Sequence, residues 1–142
     1  MARVPEVVVD ASVGCKWYLP EAGAEEALSL RDAHAEGEIR LLAPSLIAYE
    51  LANALRHHPD MTANRLRSAV RWFFDLQIAL VPPSGPELSR AAEIALARDL
   101  TVYDASYAAL AEDRGCPLVT DDSRLLAASD RAIPPSRWVP PD

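Results

Sequence analysis

Three consecutive β-branched residues, Val7-Val8-Val9, stand near the start of the chain and stop abruptly at Asp10-Ala11-Ser12. A short run with no polar side predicts a strand buried on both faces, followed by a helix start. From Glu21 to Ala35, apolar positions at Ala24, Ala27, Leu28 and Leu30 fall at three- and four-residue spacings, which predicts a helix ending near Gly37. Arg40 to Ala43 reads as a second strand. Leu46, Ile47, Leu51, Ala54 and Leu55 then return to helical spacing after Pro44-Ser45, with Glu50 in the helix interior and Pro59 forcing an end by His58.

Thr62 is placed to cap a further helix through Asp75, with Leu66, Val70, Phe73 and Phe74 as its apolar stripe. Ile78 to Val81 predicts a third strand. The breaker Pro82-Pro83-Ser84-Gly85-Pro86 is followed by an Ala-rich helix to about Arg98, then by Thr101-Val102 and an amphipathic helix from Asp104 to Arg114 that Gly115 closes. Leu118-Val119 reads as a core strand, Asp121 to Ala128 as a short helix, and Trp138-Val139 as a last strand. Strands alternating with helices imply an α/β fold: three layers, α/β/α, around a mainly parallel sheet of four to five strands. With 142 residues, half of them apolar, one domain spanning 1–142 is the expectation.

No apolar run reaches the roughly 18 residues of a membrane span, and Met1 to Pro5 does not lead into a signal-peptide core, so a soluble, cytoplasmic protein is expected. Cys15 and Cys116 are isolated, which predicts two reduced thiols and no zinc site. The net charge of −7 excludes a basic coat for nucleic acid. A cation gathered by several acids would nevertheless reverse the local field, and thirteen of the fourteen basic residues are Arg, whose planar fork suits phosphate or carboxylate.

Asp10 follows the first strand and Asp121-Asp122 follow the Leu118-Val119 strand. In parallel α/β sheets ligands collect beyond the carboxyl ends of the strands, so these acids should emerge at one edge. Asp104 at a helix start and Glu50 on the helix after the second strand can reach the same place. Taken singly, Asp10 or Asp104 would serve as an N-cap and Glu50 as a solvated face. Together they repel one another, and a divalent cation relieves that; hard oxygen ligands without Cys or His select Mg²⁺ or Mn²⁺.

Four segments, Val8-Val9-Asp10-Ala11-Ser12-Val13 running on to Lys16-Trp17, Tyr49-Glu50-Leu51-Ala52-Asn53, Val102-Tyr103-Asp104-Ala105-Ser106-Tyr107 and Leu118-Val119-Thr120-Asp121-Asp122, resemble in order the acidic motifs of VapC-type PIN-domain ribonucleases. The resemblance runs from about Val7 to Leu126. It implies a PIN-like fold, a metal-binding and catalytic quartet of Asp10, Glu50, Asp104 and Asp122, and supporting roles for Ser12, Asn53 and Thr120. The last motif selects Asp122, with Asp121 beside it as an alternative or a helper. The implied activity is a Mg²⁺- or Mn²⁺-dependent endoribonuclease, most often the toxin of a type II toxin–antitoxin pair, with RNA as substrate, a cognate antitoxin as partner and a homodimer as assembly.

Metal-assisted hydrolysis needs no catalytic His, and none of His34, His57 and His58 lies in the four segments. Water rather than the ribose 2′-OH would attack, predicting 5′-phosphate and 3′-hydroxyl ends. Lys16 stands where it can meet a substrate phosphate at the rim, or be an ordinary solvated Lys; Arg124 balances charge. Competing readings are a PIN ribonuclease of RNA processing, a catalytically silent interaction module, and a receiver-like phosphorylatable domain. The last would need an Asp ending the third strand and a Lys ending the last, where Val81-Pro82 and Val139-Pro140 stand.

Overall fold

The computed structural model describes residues 3–142, so Met1 and Ala2 of the leading segment lie outside the described residues. Its strands, β1 (Glu6–Val9), β2 (Arg40–Pro44), β3 (Ala79–Val81), β4 (Leu118–Val119) and β5 (Ala132–Ile133), form one sheet in the order β3-β2-β1-β4-β5. Every neighbouring pair is parallel. Parallel neighbours cannot be joined by a tight turn, so each step is a helical crossover. α1 (Ala11–Gly14) and α2 (Ala24–Ala35) lead from β1 to β2, α3 (Ile47–Arg56) and α4 (Ala63–Asp75) to β3, α5 (Gly85–Arg98) and α6 (Val102–Arg114) to β4, and α7 (Ser123–Ala128) to β5.

Val7, Val8 and Val9 are all buried, as are Leu41, Leu42 and Ala43. Successive residues of a strand face opposite sides, so both faces of the central strands are covered, and the three-layer expectation holds. α6 lies on β1, β2 and β4 with Ala105, Ala108, Ala109 and Ala111 buried, small side chains that let the helix approach the sheet and α5 closely. Local chemistry sets the helix starts. The hydroxyls of Thr62, Ser84 and Thr101 accept from Arg65 N, Glu87 N and Asp104 N, and the Asp122 carboxylate accepts from Arg124 N and Leu125 N.

Three expectations shift. α6 begins at Val102 because Thr101 caps it, which puts Asp104 inside the first turn instead of at the start. The last strand is Ala132–Ile133, not Trp138-Val139. The Ala132 segment follows α7 directly and can receive Leu118 N at Arg131 O and Thr120 N at Ile133 O. Trp138-Val139 lies between Pro135 and Pro140, where prolines withdraw ladder donors, and Trp138 packs against the core instead. The buried stripes narrow: on α3 it is Ile47, Leu51 and Leu55, with Ala54 exposed, and on α4 it is Ala69 and Phe73, with Phe74 exposed.

His34 fastens α2 to the sheet: its Nδ1 accepts from Leu41 N at 3.0 Å and its Nε2 donates to Leu76 O at 2.7 Å. That pair of partners requires the neutral Nε2–H tautomer. Among the described residues no helix is long and apolar enough to cross a membrane.

Candidate active site

The order of strand addition reverses at β1: β2 and β3 lie on one side of it, β4 and β5 on the other. At such a switch point the loops leaving two adjacent strands part and leave a crevice at their carboxyl ends. Asp10 leaves β1 there and Thr120 to Asp122 leave β4, with Asp10 N donating to Val119 O at 3.1 Å.

Asp10 is 6% exposed, and each carboxylate oxygen is committed. Oδ1 accepts from Ala11 N at 2.8 Å, and Oδ2 accepts from Ser12 Oγ at 2.8 Å and Thr120 Oγ1 at 2.7 Å. The same hydroxyls look the other way as well, Thr120 Oγ1 accepting from Asp122 N at 2.9 Å and Ser12 Oγ from Asp121 N at 3.1 Å. Two strand ends are thus sewn together by two small hydroxyl side chains. Burial pushes the Asp10 carboxyl above the ordinary aspartate range, against the pull of its donors, and Asp122 adds to the rise.

Glu50 is carried by α3, and its Oε1 accepts from the buried Tyr107 hydroxyl of α6 at 2.6 Å. Burial raises its pKa, the Tyr107 hydrogen bond lowers it, and Asp10 and Asp104 raise it further. Asp104 is likewise raised, first by burial, then by Asp122 and Asp10, while Thr101 and Arg124 oppose. Asp10, Glu50 and Asp104 each feel at least one other acid of the implied quartet. Gly14 makes part of this approach feasible: a Cβ there would stand 3.0 Å from Leu51 Cδ1, the residue after Glu50.

Asp121 parts company with Asp122. Its Oδ2 lies 3.1 Å from Lys16 Nζ, which also meets Glu21 Oε2 at 3.5 Å and donates to Ala22 O at 2.6 Å. Lys16 is therefore spent on tethering the loop before α2, and its second reading, a phosphate contact, loses its free donor. Asn53 is exposed one turn beyond Glu50, and His57 and His58 sit at the solvated end of α3. Cys15 and Cys116 are buried free thiols. Tyr107 was missed from the sequence, although its signal was there: a Tyr in an Ala-rich buried helix needs a partner for its hydroxyl.

The donor set is all carboxylate and hydroxyl oxygen, which suits Mg²⁺ or Mn²⁺ and no softer ion. As placed, no three His, Cys, Asp or Glu side chains among the described residues form a ready coordination set. The raised pKa values of Asp10, Glu50 and Asp104 come first from burial, with repulsion between neighbouring acids a smaller part. The chemistry of the residues fits a divalent cation; closing around one requires the side chains to draw in.

A parallel sheet with its acids at the β1–β4 switch is the arrangement of a PIN-type nuclease, and the PIN domain family matches residues 7–130. The chain belongs to that family, and its likeness there is to VapC ribonucleases. Ribonuclease VapC3 of Pyrobaculum aerophilum is 34% identical over 137 residues, covering 92% of this chain and 99% of the relative. A protein named exonuclease VapC9 from the same organism is 34% identical over 117 residues, covering 82% and 88%. Among solved structures, VapC20 of Mycobacterium tuberculosis, described as a Sarcin-Ricin loop cleaving toxin, superposes with a TM-score of 0.67 at 15% identity, covering 86% of this chain and 94% of that one.

Proposed function

We propose that this VapC-type nuclease is a Mg²⁺- or Mn²⁺-dependent endoribonuclease, acting in the cytoplasm as the toxin of a type II toxin–antitoxin pair. What supports the reading is that Asp10 and Asp122 stand at adjoining strand ends linked through Thr120, while Asp10, Glu50 and Asp104, each raised chiefly by burial, are raised further by acidic neighbours. These four would hold the ion. When bound, it supplies a counter-charge for the attacked phosphate and lowers the pKa of water.

The rest is done by the chain. Asp10, fixed by three donors, is a preorganised ligand that pays little to keep its orientation. Glu50 keeps Oε2 clear of the Tyr107 bond, which leaves that oxygen to face the ion or its water. Asp122 would join Asp10 from the adjoining strand end, and Asp104 would reach the ion from α6. Because water attacks, products carry 5′-phosphate and 3′-hydroxyl ends.

An antitoxin is the expected partner, and a homodimer the expected assembly. An apolar groove of about 480 Å³ beside the crevice, lined by Tyr49, Leu88, Val102 and Tyr103, is the face a second copy would cover.

Purified protein incubated with a mixed RNA pool in Mg²⁺, Mn²⁺ or EDTA tests the reading, beside Asp10→Asn and Asp104→Asn, with end-group analysis. Cutting only with metal, lost in both variants and leaving 5′-phosphates, is the expected result. Ends with 2′,3′-cyclic phosphate would refute the water attack. No cutting in any metal, with no metal-linked rise in melting temperature, would leave a silent interaction module.

A further inference from the structure

The chain is acidic, yet from Arg56 to Asp75 it carries four arginines against two aspartates. Elsewhere Lys16, Arg31, Arg40, Arg90, Arg98 and Arg114 each have a carboxylate within 4.0 Å, while Arg124, Arg131 and Arg137 do not but are scattered after β4 and not gathered on one helix. Among the described residues Arg65, Arg67 and Arg71 of α4 have none; Arg65 donates to Asp60 O at 2.9 Å and Arg67 to Asn64 Oδ1 at 2.9 Å, both neutral acceptors. Helical spacing puts Ala69 and Phe73 inward, where they are buried, and leaves these arginines outward and exposed.

Two large aromatics flank that outward face on opposite sides, Trp72 at 57% exposure and Phe74 at 53%, because residues two apart on a helix point about 200° apart. Trp72 stacks on Tyr18, with ring centroids 6.3 Å apart and 22° between planes. Tyr18 in turn follows the turn Cys15–Trp17, whose Lys16 binds Asp121 beside Asp122. Trp72 is therefore linked, through Tyr18 and the turn before it, to the loop that carries Asp121 and Asp122. An acidic crevice repels a polyanion everywhere except at its bound cation, so a nuclease built on it needs phosphate contacts elsewhere. Arginine forks suit phosphate oxygens, and exposed indole or phenyl faces suit unpaired bases, which a duplex keeps stacked away.

We propose that the outward face of α4 is a docking track for single-stranded RNA, with Arg67 and Arg71 on backbone phosphates and Trp72 under an unpaired base. The proposal rests on the nuclease reading above for its choice of RNA over an acidic protein surface.

The test is fluorescence anisotropy of a labelled, mixed-sequence oligoribonucleotide with the full chain in EDTA, across a salt series, for wild type and Arg67→Ala/Arg71→Ala. Both side chains are solvent-exposed, so the variant should fold, and its melting temperature is checked. The expected result is an affinity loss of about tenfold or more at low salt, and a log–log salt slope shallower by about 0.7 for each phosphate contact removed. Trp72→Ala should weaken binding with the salt slope retained. Unchanged affinity and slope in the double variant, or no binding by wild type, would overturn the proposal. So would displacement of the RNA by polyglutamate as readily as by unlabelled RNA, which would assign the face to an acidic protein. Hydrolysis of bis(p-nitrophenyl) phosphate by wild type in Mn²⁺ reads the acid crevice independently. Its absence, with RNA affinity still lost in the variants, would fail the nuclease reading and leave the docking track standing.

Discussion

Asp10 and Asp122 stand on loops at adjacent strand ends and are tied to each other through Thr120, whereas Glu50 and Asp104 ride on two helices and reach the crevice from outside the sheet. On the sheet side every oxygen of Asp10 has a donor; on the helix side Glu50 has one hydroxyl, Tyr107. The sheet half is built as part of folding, since its hydrogen bonds are those that close the β1–β4 edge. The helix half depends on where α3 and α6 pack, and can give when a ligand enters. Substitutions on the two halves should therefore differ in kind: losses of stability and activity together on one, losses of activity and metal affinity on the other.

The largest effect is expected at Thr120. Thr120→Val keeps the shape but removes the donor to Asp10, which is buried, and the acceptor for the half-buried Asp122 N. A lost hydrogen bond to a buried carboxylate costs about 2–3 kcal/mol, read as a lower urea midpoint. Loss of a group that orients a ligand cuts activity by about 10–100-fold. An unchanged midpoint would show that the two strand ends do not need the stitch. Tyr107→Phe is the matching change on the helix half. It should lower stability by no more than about 1–2 kcal/mol while activity falls about tenfold and recovers in part at higher Mg²⁺ or Mn²⁺. A midpoint loss as large as that of Thr120→Val would erase the contrast between the halves.

How much of this was legible in the sequence follows the same division. The strand β1, the acid after it and the acid after β4 are short-range patterns, an apolar run ending in Asp, and they read correctly. So did the helical phase of α3 that carries Glu50. Two things depended on tertiary placement and were not legible. The choice between Trp138-Val139 and Ala132–Ile133 for the edge strand turned on which backbone groups could reach β4, and two-residue strands carry almost no periodic signal. The parting of Asp121 from Asp122, and with it the role of Lys16, needed the distance between α1's end and the β4 loop. Tyr107 stood in a quoted motif, but its buried hydroxyl called for a partner on another helix that spacing could not name.

Protonation offers a subtler contrast. Asp10, Glu50 and Asp104 all have pKa values raised on folding, chiefly by burial. Such groups add stability that is fully present below the ordinary carboxylate range and is lost as pH climbs through the raised folded values. In EDTA the protein should therefore be penalised at neutral pH by its own crevice. Asp104→Asn should raise the neutral-pH melting temperature in EDTA, an advantage that shrinks as pH falls into the carboxylate range and reverses in saturating Mg²⁺. If the variant melts with wild type at every pH, Asp104 is not held against its neighbours' charge.

The smallest expected effect separates neighbours. Asp121 and Asp122 are adjacent in sequence, yet Asp122 caps α7 and influences Asp104, while Asp121 lies against Lys16. Asp121→Asn breaks an ion pair whose acid is 39% exposed, so the cost is about 0.5–1 kcal/mol. Lys16 keeps Glu21 and the Ala22 carbonyl, so the loop before α2 should stay in place. RNA cutting by Asp121→Asn should remain within a few-fold of wild type at the same metal requirement, where Asp122→Asn loses cutting. A shift in metal requirement for Asp121→Asn would mean that Asp121 swings from Lys16 to the ion when it binds, and the division between the two aspartates would then describe only the metal-free protein.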